Sequence, residues 1–296
     1  MVRHLVSIHD LSDADIGAIL DRAEAMERDL RKVRNLFEGR IVCTAFFEPS
    51  TRTRLSFESA AFRLGAGVIG FSDPLSTSTS KGETLADTMR ILSGYADLIV
   101  MRHPKEGAAK EAAAVATVPV VNAGDGPGEH PTQTLVDLYT IHKERGAIRG
   151  VKVGLVGDLF HGRTVHSLLP ALERLGAKPF AVAAPGLGLP KGVGANVPAL
   201  DLEAAARECD VLYVTRVQRE RFKSESEYEK VRGSFRVDRA LLERTHSRAI
   251  VLHPLPRIDE IHTDVDATPA AKYFDQARHG VPVRMAVLAF LLGGAK

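Results

Sequence analysis

The chain has 296 residues, 45% hydrophobic and 26% charged, with Lys+Arg 39 against Asp+Glu 37 and a net charge of +2. That balance excludes a disordered chain and, lacking dense Lys/Arg clusters, a nucleic-acid-binding footprint; no apolar run reaches the ~18–20 residues of a membrane span. The length exceeds one ordinary core and fits two domains of about 150 residues. The opening stretch MVRHLVSIHDLSD has no apolar core of a secretory signal, so a soluble, cytoplasmic protein is expected. Ser12 with Asp15 forms a capping-box pattern, and Ile16, Ile19, Leu20 and Ala23 follow at helical spacing. Residues 28–34 mix charges with Leu30 and Val33, which suits the solvated face of a helix.

Residues 41–47 read as a buried strand that stops at Glu48-Pro49. Phe57, Ala61 and Leu64 then mark a helix closed by Gly65. Further strands are expected at 68–71, 96–101 and 118–121, with a helix through Leu85, Met89 and Leu92. A long helix, 132–143, ends at Gly146 with no Pro/Gly/Ser linker near it. Strands recur at 151–156, 179–183, 210–215 and 249–252, separated by helices at 164–175, 201–208 and 238–245. Residues 283–292 form an apolar terminal helix. Pro170 should kink the helix containing it or remove one of its hydrogen bonds, and 186–196 reads as a surface loop. Alternating short strands and helices imply α/β architecture: two domains, each with a mostly parallel sheet flanked by helices. The expected division is 1–132, with 280–296 packing back on it, and 133–279. Cys43 and Cys209 show no CxxC or metal-type spacing and read as buried, reduced thiols; no metal and no cofactor is expected.

Ligands of parallel sheets bind beyond the carboxyl ends of strands, and the unusual polar residues of this chain follow its strands. After the first comes Glu48-Pro49-Ser50-Thr51-Arg52-Thr53-Arg54. A strand running into this string at a helix start gathers backbone N–H groups, hydroxyls and guanidinium, which together can hold a phosphate dianion. Taken alone, Ser50 or Thr51 could be a plain N-cap and the arginines surface charges.

Ser50-Thr51-Arg52-Thr53-Arg54 resembles the carbamoyl phosphate signature shared by aspartate and ornithine carbamoyltransferases. Met101-Arg102-His103-Pro104, His130-Pro131-Thr132-Gln133, Gly157-Asp158-Leu159 with Gly162-Arg163-Thr164, Thr215-Arg216-Val217-Gln218 and His253-Pro254-Leu255-Pro256-Arg257 follow in the family's order. The likeness spans nearly the whole chain. It implies that carbamoyl is transferred from carbamoyl phosphate to the amine of L-aspartate, a step of pyrimidine biosynthesis yielding N-carbamoyl-L-aspartate and phosphate. It implies that Ser50, Thr51, Arg52 and Thr53 hold the phosphate. Arg102 and His130 donate to the carbamoyl oxygen, where negative charge grows, and Gln133 orients the carbamoyl NH2. Arg163 and Arg216 suit bidentate capture of aspartate carboxylates, Gln218 assists, and Leu255 offers its carbonyl beside a cis bond to Pro256. For Arg163 and Arg216 the plain alternative is a salt bridge to Asp158 or Glu220.

The polar loop between Asp73 and Gly82 reads by itself as mobile, with a solvated Lys81. In the family it reaches a neighbouring subunit's site, which implies a homotrimer with shared active sites completed by Thr77 and Lys81. Ser80 stands where some relatives carry a second lysine. Whether regulatory or dihydroorotase chains join the assembly stays open. No side chain stands out as a general base, so the departing phosphate is expected to take the amine's proton.

Three rivals are weaker. Ornithine carbamoyltransferases typically show His-Cys-Leu-Pro where this chain has His253-Pro254-Leu255-Pro256, and a cationic substrate mismatches Arg216. A nicotinamide dehydrogenase would need GxGxxG after residues 151–157, and it is incomplete. A non-catalytic homologue should lack one of Arg52, Lys81, Arg102 or His130, and all four are present.

Overall fold

The computed structural model describes residues 3–73, 77, 81–184, 186–217, 224, 226 and 235–293. The chain divides into two compact units, Met1–Tyr139 with His279–Lys296, and Thr140–Arg278.

In the first unit Ser12 accepts from the Asp15 N–H, and the Asp15 carboxylate returns a bond to the Ser12 N–H. This capping box starts α1 (Asp13–Arg28), which buries Ile16, Ile19, Leu20, Ala23 and Met26. The charged stretch beyond it is not one helical face. Asp29 leaves helical geometry and caps a short 3-10 turn, Leu30–Val33, by accepting from the Arg31 N–H.

Strands β1 (Ile41–Phe46), β2 (Gly67–Phe71), β3 (Leu98–His103) and β4 (Val120–Asp125) form a parallel sheet in the order β2-β1-β3-β4. Helices α2 (Arg52–Arg63), α3 (Leu85–Ser93) and α4 (Ala108–Val115) connect them. Gly65, at φ +83, follows α2 as its left-handed stop, where L side chains are disfavoured. Both β3 and β4 begin two residues later than their apolar runs suggest. Before β3, Ala96 still bonds back to Leu92, and Asp97 meets Ile41 both through its N–H, donated to Ile41 O, and through its carboxylate, which takes up the Ile41 N–H in place of a backbone carbonyl. Strand β4 instead continues into polar residues, because the Asn122 amide bonds Val6 O and its oxygen accepts from the Gly124 N–H. α5 (Pro131–Arg145) follows.

The second unit repeats the plan. Strands β5 (Lys152–Val156), β6 (Lys178–Val182), β7 (Val211–Val214) and β8 (Ile250–Leu252) are parallel in the order β6-β5-β7-β8. Helices α6 (Arg163–Arg174), α7 (Leu202–Glu208) and α8 (Arg239–Arg244) lie among them. The core joins Val156, Leu212, Val214, Leu241, Val251 and Ile261, all buried. α6 runs through Pro170 without a break in the element, so one missing N–H is absorbed rather than ending the helix. α9 (Tyr273–Leu292) begins ten residues before its apolar run and also contains a proline, Pro282.

Both sheets therefore reverse strand order at the same place, between their first and third strands in sequence. The carboxyl ends there form the natural ligand edge of such a sheet. Among the described residues no helix is long and apolar enough to cross a membrane.

Candidate active site

β1 and β3 are neighbours in register, with Phe46 opposite Arg102 and the Phe47 N–H bonded to Arg102 O at 2.8 Å. Phe47 anchors this end by packing edge-on against Phe71, with ring centroids 5.1 Å apart. The chain then turns through Glu48-Pro49-Ser50-Thr51 into α2. Thr51 sits at the N-cap in helical geometry and makes no side-chain cap bond. The first N–H groups of α2 are consequently not capped by that side chain, as an anion site at a helix start requires. Thr53 is buried, Ser50 half-buried, and Arg52 reaches toward solvent, though desolvation still lowers its pKa. The Arg52 guanidinium has no ion pair among the described residues, whereas Arg54 is committed to Glu58 at 2.7 Å.

Arg102 is the penultimate residue of β3, with its side chain mostly buried. Its Nε donates to Glu48 Oε1 at 2.6 Å and its Nη1 to Ser50 Oγ at 3.3 Å. These two bonds set the plane of the guanidinium. Glu48 carries no signal of a site residue in the sequence, where Glu-Pro after an apolar run reads only as a strand stop.

His130 ends the turn between β4 and α5, and Gln133 lies in the first turn of α5 itself; the turn is organised by Asp125. Its carboxylate accepts from the Gly107 and Glu129 N–H groups, both at 2.9 Å, and from the Asn122 amide at 3.1 Å. Gly126 (φ +51) lets this turn approach the end of β3, where a Cβ would lie 2.5 Å from Pro104 O. His130 is 4% exposed, with Nδ1 3.3 Å from Thr132 Oγ1, and its carbonyl accepts from the Gln133 N–H. Gln133 Nε2 donates to Asp137 Oδ1 at 2.8 Å.

In the second unit, Gly157 (φ +114) follows β5 at a point where a Cβ would lie 2.2 Å from Thr215 O. Thr215 binds Val156 O through both its N–H and its hydroxyl. This closeness draws the β5 turn against the β7 end, which carries half-buried Arg216. The buried Asp158 carboxylate accepts from the His161 N–H and lies 3.0 Å from its ring Nδ1. Arg163 opens α6, half-buried, after Gly162. Past β8, His253 Nδ1 accepts from the Leu255 N–H at 2.7 Å, which leaves Nε2 to donate to Glu260 Oε1 at 2.7 Å. Burial alone would raise the Glu260 pKa, but the bond from His253 and the Ile258 N–H hold it below the usual carboxylate range. Leu255 sits at φ +56, and the Leu255–Pro256 peptide is cis. Arg257 pairs with Asp266 and with the Tyr273 hydroxyl, so it serves this loop's structure.

Each sheet thus gathers sequence-predicted residues at its carboxyl edge. In the first unit these are Ser50, Thr51, Arg52 and Thr53 after β1, Arg102 on β3, and His130 and Gln133 after β4. In the second they are Arg163 beyond β5, Arg216 after β7, and Leu255 and Pro256 after β8. Thr77 is half-buried and Lys81 exposed. Gln218, Glu220 and Ser80 lie outside the described residues. Among the described residues no group of three or more His, Cys, Asp or Glu could hold a metal ion.

Residues 3–143 match the family described as aspartate/ornithine carbamoyltransferase, carbamoyl-P binding domain, and residues 149–291 its Asp/Orn binding domain. The chain is 52% identical to the aspartate carbamoyltransferase catalytic subunit of Archaeoglobus fulgidus, covering 98% of this chain and 99% of that one. It is 50% identical to that of Methanocaldococcus jannaschii, covering 98% of each. A crystal structure of the M. jannaschii catalytic subunit superposes with a TM-score of 0.91 at 49% identity, covering 99% of this chain and 98% of that one. Aspartate transcarbamoylase from Trypanosoma cruzi, in complex with N-(phosphonacetyl)-L-aspartic acid, gives 0.90 at 43% identity, covering 97% and 94%.

Proposed function

The chain belongs to the aspartate/ornithine carbamoyltransferase family, and on that premise we propose how its own residues make it an aspartate carbamoyltransferase catalytic chain. It transfers the carbamoyl group of carbamoyl phosphate to the amine of L-aspartate, giving N-carbamoyl-L-aspartate and phosphate. The observation that carries the residue assignment is the start of α2, whose N-cap Thr51 leaves the first N–H groups without a side-chain cap, one strand away from Arg102 at the switch point.

Ser50, Thr51, Arg52 and Thr53 cradle the phosphate. The helix end adds about 0.3–1 kcal/mol and each charge-assisted bond about 1.5–3 kcal/mol. Arg102 and His130 donate to the carbamoyl oxygen as the amine nitrogen attacks the carbonyl carbon. The bond from that carbon to the phosphate oxygen then breaks, and its electron pair leaves with the phosphate. Arg163 and Arg216 hold the two aspartate carboxylates in fork geometry, with Gln218 assisting. The Leu255 carbonyl, beside Pro256, accepts from the amine. The phosphate takes the ammonium proton, so the rate comes from proximity and electrostatics without a protein base.

We place Lys81 and Thr77 in a neighbouring subunit's site within a homotrimer. The first unit exposes large apolar side chains suited to such contacts: Leu55 and Phe62 on α2, Ile69 on edge strand β2, and Ile91 and Tyr95 on and after α3. Cys43 and Cys209 are free and buried, with burial pushing Cys43 up to about 12 and Cys209 to about 11. Such inert thiols suit the reducing cytoplasm. The test is product formation from carbamoyl phosphate with aspartate and ornithine in parallel. Carbamoyl-aspartate alone is expected; carbamoylation of ornithine, or of neither, overturns the reading.

A further inference from the structure

Asp137 lies one turn beyond Gln133 on α5 and is fully buried. No step above uses it, yet its Oδ1 accepts from Gln133 Nε2 at 2.8 Å. Close by is a second buried charge, Arg284 of α9, 4% exposed, with its guanidinium 5.1 Å over the Phe57 ring. Burial lowers the Arg284 pKa to about 10, and the Asp137 charge opposes that shift. Arg284 Nε is buried with no hydrogen-bond partner among the described residues. Gly280 makes room for this side chain, since a Cβ there would lie 2.2 Å from Arg284 Nη1. Buried charges of this kind seldom serve stability, because apolar residues of similar volume usually fill the space at no greater cost. Two buried charges beside the site therefore call for a functional reason.

The chemistry of Gln133 supplies one. The two ends of its amide have nearly the same shape but opposite bonding roles. Against a carboxylate acceptor, only the NH2 end can bond. With that end held by Asp137, the carbonyl oxygen Oε1 becomes the end presented elsewhere, as an acceptor. A carbamoyl group carries NH2 donors. An acyl phosphate such as acetyl phosphate carries a methyl group in their place and has nothing to donate.

Resting on the carbamoyl-transfer reading above, we propose that Asp137, with Arg284 as its counter-charge, is a positioning residue that fixes the Gln133 amide so that Oε1 accepts from the carbamoyl NH2, and thereby selects a carbamoyl over an acetyl phosphate. Arg284 supplies the positive charge that a buried carboxylate needs. Asp137 touches no substrate; its effect travels through Gln133.

The test compares dissociation constants for carbamoyl phosphate and acetyl phosphate, by calorimetry on the assembled full-length protein, in wild type, Asp137→Asn and the paired Asp137→Leu/Arg284→Met. An asparagine can present either end to Gln133, and the paired variant removes both charges together in case the single one does not fold. Either variant is expected to weaken carbamoyl phosphate about tenfold while leaving acetyl phosphate unchanged. Equal weakening of both ligands would mean a merely structural role, and unchanged affinity for both would mean no role; each overturns the inference. A wild type that forms carbamoyl-aspartate while its variants keep the ratio defeats this inference alone. A wild type that forms none defeats the underlying reading as well.

Discussion

Glu48 Oε1 accepts a 2.6 Å hydrogen bond from Arg102 Nε, tying the turn after β1 to the last residues of β3. Both side chains are largely buried, so the pair is screened less than a surface ion pair. The bond lies where the strand order reverses, and it sets the plane of the guanidinium assigned to the carbamoyl oxygen.

Replacing Glu48 by Gln keeps the shape and removes the charge. A charge-assisted bond contributes about 1.5–3 kcal/mol, and a looser Arg102 acts most where charge develops in the transition state. Glu48→Gln should therefore lower kcat by about 10–100-fold. Steady-state kinetics check this; a KM change at unchanged kcat would show that Glu48 governs binding rather than chemistry.

Gly157 is constrained from two sides, by φ +114 and by a Cβ position 2.2 Å from Thr215 O. An alanine there must push β5 and β7 apart or adopt strained backbone, costing about 1–3 kcal/mol. The same displacement moves the Arg216 segment. Gly157→Ala should melt earlier than wild type and bind aspartate more weakly, while inorganic phosphate binding is unchanged. Thermal melts and ligand titrations separate these effects; loss of phosphate affinity as well would show that the change is not confined to the second unit.

The His253–Glu260 bond makes the loop carrying Leu255 sensitive to acid. The folded-state pKa of Glu260 lies below its ordinary value of 4.5, despite burial that acts the other way. A depressed carboxylate contributes stability that is fully present above the ordinary value and lost as pH falls through the folded one. Glu260→Gln should accordingly cost about 1–3 kcal/mol at neutral pH. The gap between variant and wild type should close progressively below pH 4.5. Denaturant melts across that range measure it, and a gap independent of pH would mean that Glu260 acts by shape alone.

Much of this was legible beforehand because apolar runs and strand-end chemistry coincide. Ser50-Thr51-Arg52-Thr53 carries the residue types an anion site needs, directly after an apolar run. Other parts were hidden for identifiable reasons. β4 continues through Asn122 and Asp125, whose polar groups are satisfied internally, so hydrophobicity could not reveal it. Glu48 and Asp137 look like ordinary acidic residues until the fold brings Arg102 and Gln133 to them. Asp29 ended a helix that its charged neighbours seemed to continue, because its side chain competes for backbone N–H groups.

The shared-site proposal has a sharp consequence. Arg52 is assigned to a chain's own site, and Lys81, exposed beyond β2, to its neighbour's. Arg52→Ala and Lys81→Ala chains should each form trimers of 32.1-kDa subunits with little activity. In a ring of three, any mixed trimer contains one site that takes Arg52 from one chain and Lys81 from the next, both intact. Random exchange of equal amounts should therefore restore about a quarter of wild-type sites. If each chain instead supplied its own Lys81, every site would carry one defect whatever the mixture. Activity after subunit exchange, with assembly followed by native mass measurement, distinguishes the two arrangements. Mixed trimers that stay as inactive as their parents would sink the shared site while leaving the phosphate cradle at α2 untouched.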